Sequence, residues 1–222
     1  MALHCSSTYS GAFFAASCFC PSRMPLQEFT ALLVLATALS FSPGPNTTLS
    51  AAMAANHGLR RSLRFVLAVP FGWGLLLLLC ATGVGTVIQA APTLRWLIKA
   101  VGIAYLLWMA YKLWNSAQLS SARPEQLQIG FWHGVALQFV NIKAWMLALS
   151  IIAGWVAGKA DWTLRLSVVL PVMLAYAFCS NLLYACVGAL LRNWLAQGRR
   201  LLYFNRGMSA LLAITAFWML YA

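Results

Sequence analysis

No charged residue stands between Phe29 and Ala55, and the middle of that stretch reads Ser42-Pro43-Gly44-Pro45-Asn46. Roughly 20 apolar residues cross a bilayer as a helix, so the run is long enough to span. It cannot do so as an ordinary helix, because proline lacks the backbone N–H and clashes with the preceding turn. Apolar stretches of spanning length recur along the chain. Of its 222 residues 62% are hydrophobic and only 8% charged, against about 25% charged in a soluble domain. Fifteen Lys/Arg and 3 Asp/Glu cannot clothe a water-facing surface, so the solvent of this chain is lipid. The class this predicts is an all-α membrane protein.

The predicted spans lie at about 26–55, 65–90, 93–114, 131–157, 164–190 and 203–221, forming one six-helix domain over 24–222. Residues 1–23 differ, being rich in Ser, Ala and Cys. They read as an N-terminal extension, either disordered or lying ahead of a true start at Met24. Their apolar patch is too short to span and has no basic flank before it, so a signal peptide fits poorly.

Basic residues alternate between the two sides. Arg60, Arg61, Arg64, Lys112, Arg123, Arg192, Arg199, Arg200 and Arg206 fall on one side; Arg23, Arg95, Lys99, Lys159 and Arg165 fall on the other. The more basic side is cytoplasmic by the positive-inside rule, which puts both termini outside the cytoplasm. The net charge of +12 does not imply nucleic acid, because the cations sit in short breaks between apolar runs and form no patch.

Two places are poorly suited to lipid. Irregular backbone survives in hydrocarbon only when buried in protein or facing a watery cavity. A break in span 1 also creates a half-helix N-terminus with free N–H donors and partial positive charge. Ser42 is the expected N-cap and Pro43 the expected first helical residue. Such an end suits a substrate carboxylate. The second place is Asn141 and Lys143, near the middle of span 4. A lysine at that depth costs at least roughly 2.5–3.5 kcal/mol, and no carboxylate lies inside any span to pair with it. The expected substrate-binding set is therefore Ser42, Pro43, Gly44, Pro45, Asn46, Asn141 and Lys143.

Spans 1 and 4 each open a group of three, and their irregular positions align, with Phe41-Ser42-Pro43-Gly44-Pro45 over Phe139-Val140-Asn141-Ile142-Lys143. Three helices reverse direction, so the halves would form an inverted repeat with a site between them. His57 and His133 near span ends read as interfacial polar residues, Asn181 as a hydrogen-bonding partner between helices, and Trp73 and Trp145 as packing or lipid-facing residues, with cavity lining as the second reading. No Ser/His/Asp set, Walker loop or carboxylate pair is present, which argues against an enzyme. No cofactor is expected, and no CxxC or Cys/His spacing points to a metal.

These residues resemble a known family. Phe41-Ser42-Pro43-Gly44-Pro45-Asn46, followed by Asn56-His57-Gly58 and Arg60-Arg61, is similar to the start of the LysE/RhtB amino-acid exporters. Phe131-x-x-Gly134 leading into Asn141-x-Lys143-Ala144 is similar as well. Leu137-Gln138-Phe139-Val140-Asn141-Ile142-Lys143 looks most like the branch exporting cysteine and O-acetylserine. The family usually has Asn-Pro-Lys there. Ile142 takes the proline's position, so span 4 lacks the residue that would enforce a break. The resemblance covers about 24–222. It implies efflux of small or neutral amino acids across the bacterial inner membrane by a secondary, proton-coupled, alternating-access mechanism. The implied partners are a small amino-acid substrate and the lipid bilayer, with room for a homodimer. A reading from another class is a membrane thiol carrier passing electrons through Cys80 with Cys179 or Cys186.

Overall fold

The computed structural model describes residues 24–83, 90–119 and 130–221. The N-terminal extension and the segment around Arg123 lie outside them. Every regular element among the described residues is helical: α1 Leu26–Ser40, α2 Pro45–His57, α3 Leu59–Ala81, α4 Pro92–Leu119, α5 Phe131–Val140, α6 Ile142–Ile151, α7 Trp162–Leu195 and α8 Arg200–Tyr221. A π-wound turn, Ile152–Val156, prolongs α6. Three helices are long and apolar enough to cross a membrane, within α3, α4 and α7, and the number is five when each of two bent pairs counts as one span.

The bent pairs are the two irregular spans. α1 and α2 meet at 52°, and α5 meets the continuation of α6 at 69°. The second half of the first bent span starts two residues later than the sequence suggests. Ser42 is not the N-cap and Pro43 not the first helical residue: Gly44 caps α2, and Pro45 opens it. The reason is local. Ser42 Oγ donates to Leu39 O at 2.9 Å, which ties Ser42 to the outgoing end of α1. Thr47 then takes the capping role, its Oγ1 accepting from Gly44 N–H at 3.0 Å.

The second bend forms without proline. Asn141 adopts φ −89°, ψ 100°, an extended conformation that ends α5 and starts α6. The Trp145 indole N–H donates to Phe139 O at 2.8 Å, satisfying a carbonyl that the break orphans.

Several boundaries differ from expectation; α3 ends at Ala81 rather than near 90, and α4 runs to Leu119 rather than 114. α3 starts at Leu59 rather than near 65, so Arg60, Arg61 and Arg64 lie on its first turns. Gly58, at φ 83°, makes the left-handed turn that ends α2 and lets α3 begin at once. The arginine stems can lie along the helix while their charges stay wet. α7 runs to Leu195, beyond the expected 190.

α2 packs on α7, α3 on α5 and α7, and α4 on α8. Lipid gives no hydrophobic drive between such helices, so close van der Waals contact has to hold them. Glycines supply it. A Cβ on Gly188 of α7 would lie 2.2 Å from Ala51 O of α2, and one on Gly102 of α4 would lie 2.0 Å from Val140 O. One apolar cluster, around Phe65, Leu113 and Leu137, fills the half nearer the basic loops. Another, around Leu32, Leu77 and Ile151, fills the opposite half.

That opposite half carries a polar clasp that charge counting misses. Arg165, counted in the sequence among the cations of the less basic side, is buried and ion-paired with both Glu28 and Asp161. The Trp155 indole N–H adds a 2.7 Å bond to Glu28 O. The clasp joins the start of α1 to the start of α7 and to the turn after α6. Replacing Arg165 with leucine would leave the two carboxylates facing each other without a cation. The thermal unfolding midpoint in detergent should fall by several degrees, and a combined Glu28→Gln, Arg165→Met variant should recover part of the loss.

Candidate functional site

Where the two bends meet there is a cavity of about 60 Å³. Six of the seven residues singled out in the sequence line it: Ser42, Gly44, Pro45, Asn46, Asn141 and Lys143. Pro43 does not; it is exposed and turns away from the wall. Trp73, for which packing or lipid contact is the first reading from sequence and cavity lining the second, is a lining residue with only 4% exposure. Leu39, Val69, Leu147, Met173 and Ala177 make most of the remaining wall apolar, and Ser180 and Asn181 add polar groups from α7.

The lysine reaches across the bend. Lys143 Nζ donates to Ser42 Oγ at 2.7 Å and to Ser42 O at 3.4 Å. This is how a mid-span ammonium persists with no carboxylate beside it. The last carbonyls of α1 carry the partial negative end of its dipole, and the lysine rests on that end. Tyr184 OH donates to the neighbouring Phe41 O at 2.9 Å, so the exit of α1 is held by two side chains from the other half of the chain.

Gly44 makes room for the lysine. A Cβ there would lie 3.1 Å from Lys143 Nζ. Its φ of −169° is open to any residue, so space and not conformation calls for glycine. The first closed turn of α2 bonds Thr48 N–H to Gly44 O at 2.9 Å. The amides of Asn46 and Thr47 precede that turn, at the partially positive end of α2 beside the cavity.

The Asn46 side chain is otherwise engaged. It forms a reciprocal amide pair with Gln138 of α5, at 2.8 and 3.2 Å, and Gln138 also donates to Gly134 O at 3.0 Å. Asn181 bonds another helix as expected, its Oδ1 accepting from Ser50 Oγ at 2.9 Å. Near the basic end, Asn56 and Asn205 pair in the same reciprocal way, at 2.9 and 3.0 Å. Asn141 is 2% exposed, and its Oδ1 has no hydrogen-bond partner. Gln138 and Tyr184 were not singled out from sequence. A fully buried amide in an apolar run was the available signal for Gln138. Tyr184 offered none.

Cys80, Cys179 and Cys186 are free thiols. Cys80 packs in an apolar cluster, so the thiol-carrier reading gains no bonded pair from the structure. No cluster of metal-binding side chains occurs among the described residues.

The family model described as LysE type translocator matches residues 37–222, from the last turns of α1 to the end of the chain. The chain belongs to this family. A cysteine/O-acetylserine efflux protein of Klebsiella pneumoniae is 29% identical over 191 residues, 84% of this chain and 94% of that protein. The Salmonella typhimurium protein of the same description is 30% identical over 184 residues, covering 81% and 88%. An Escherichia coli protein so described is 30% identical over 169 residues, covering 73% and 83%. No solved structure matches the chain. In this LysE type translocator the family match takes in both bends and every residue that meets at the cavity.

Proposed function

We propose that the chain exports small neutral amino acids, cysteine and O-acetylserine foremost, across the bacterial inner membrane. The observation that carries this reading is the Lys143 ammonium reaching Ser42 over Gly44 at the mouth of α2. A cation and a helix N-terminus there face one small cavity, which is what a free carboxylate requires. The wall opposite is mostly apolar. Its volume of about 60 Å³ takes a few waters at roughly 10–15 Å³ each, which suits a short side chain and not that of lysine or arginine. The amides of Asn46 and Thr47 with Lys143 hold the carboxylate, Ser42 supplies a neutral hydrogen bond beside it, and Asn141 offers a neutral acceptor elsewhere in the wall.

Alternating access would come from two inverted halves: α1/α2, α3 and α4, then α5/α6, α7 and α8. The packing supports it, because each half's unbroken second span lies against the other half's bent one, α7 on α2 and α3 on α5. α8, with 22 residues and about 33 Å of length at 1.5 Å per residue, serves as the sixth span. The coupling ion in this reading is the proton.

Cells overproducing the chain should tolerate toxic levels of cysteine and O-acetylserine better than control cells, threonine and leucine less so, and lysine no better than controls. Equal tolerance to all five, or none to any, would sink the assignment.

A further inference from the structure

We infer that Asn141 receives the α-ammonium group of the substrate, and so tells an amino acid from any other small carboxylate. The inference rests on the reading of the cavity as an amino-acid site.

A zwitterion has two poles, and the cavity must separate them. Lys143 Nζ and the N-terminus of α2 make one end of the wall positive. An ammonium is repelled from that end and needs an acceptor elsewhere. Most polar groups in the wall are already committed. Ser42 Oγ binds Lys143 and donates to Leu39 O. Thr47 Oγ1 serves Gly44, Asn46 pairs with Gln138, and Asn181 Oδ1 takes the Ser50 hydroxyl. Asn141 stands apart from these. It lines the cavity, is almost wholly buried, and keeps Oδ1 without a donor. An unpaired buried acceptor is costly and rare, and an arriving N–H donor would satisfy it.

Asn141 caps the C-terminus of α5, the partially negative end of that helix, and also opens α6, so the ammonium is received by its Oδ1 on the α5 side of the break. Gly102 of α4 presses so closely on Val140 O that this end cannot drift. The two bends thus offer complementary poles: the start of α2 for the carboxylate and the end of α5 for the ammonium. A neutral amide suits the second task, since an aspartate at this depth would carry a heavy cost with the site empty.

Competition binding to the full chain in lipid nanodiscs tests this, with cysteine against mercaptopropionate, which keeps the thiol and the carboxylate but lacks the amine. The wild-type protein should favour cysteine by at least about tenfold, the effect of one buried hydrogen bond to a charged group. Asn141→Ala should weaken cysteine binding, leave mercaptopropionate unchanged and abolish the preference, while Asn141→Asp should keep it. Equal affinities in the wild type, which need no variant to measure, would overturn the inference, as would an undiminished preference in Asn141→Ala. Wild-type protein that binds neither compound would instead remove the exporter reading on which it stands.

Discussion

Lys143→Ala is expected to reduce export to background, a loss of about a hundredfold or more, while the protein still reaches the membrane. The substitution removes the cation that faces the cavity, and charge-assisted hydrogen bonds are the strong ones in such a site. Among the described residues no other cation lines the cavity to replace it. Insertion should not suffer, because a mid-span lysine is itself a burden of roughly 2.5–3.5 kcal/mol that the variant sheds. Ser42 loses a donor at its carbonyl and hydroxyl, a small cost beside a watery cavity. Lys143→Arg should not rescue transport, since even a Cβ on Gly44 would lie only 3.1 Å from the ammonium and a guanidinium is larger. Measured export at the wild-type rate in Lys143→Ala would take the lysine out of the mechanism.

Gly188→Ala should cause a large loss of stability from a single added methyl. The new Cβ would meet Ala51 O at 2.2 Å and the carbonyl carbon at 2.9 Å. Both belong to backbone inside α2, so no rotamer change relieves the clash and the helices must part. Overpacking of this kind costs about 1–3 kcal/mol or more. For a chain of this size that corresponds to roughly 5–10 °C in the unfolding midpoint. α2 carries one wall of the cavity, so export should fall as well. Gly154→Ala is the control, because nothing lies within 4 Å of a Cβ there. An unchanged midpoint in Gly188→Ala would mean that α2 and α7 are not in such close contact.

The helical class and the first bend were legible because proline chemistry is local. A pyrrolidine ring acts on its own turn, so Pro43 and Pro45 announce a break whatever surrounds them. Which proline opens the next helix was not legible. Both fit, and the choice fell to Ser42 bonding back to Leu39 and to Thr47 capping Gly44. The second bend had no such marker. Asn141 adopts its extended backbone because Trp145 reaches Phe139 O and Gly102 admits the end of α5, and periodicity reports neither. That Lys143 must find a partner was legible from its depth. The partner's identity, a helix end and a serine, required the fold. Arg165 shows the same limit, because its carboxylate Glu28 is remote in sequence and looked like an ordinary terminal residue.

The Arg165 clasp also shapes the charge of the whole molecule. Two of the three acids in the chain, Glu28 and Asp161, are spent on a single arginine, which lowers the net positive charge of that face. At the far end of the helices Arg60, Arg61, Arg64, Arg192, Arg199, Arg200 and Arg206 have no acidic neighbour among the described residues. Positive charge is therefore shared unequally between the two ends of the helices, and with those helices set across a bilayer a transmembrane voltage would favour one upright orientation over its inverse.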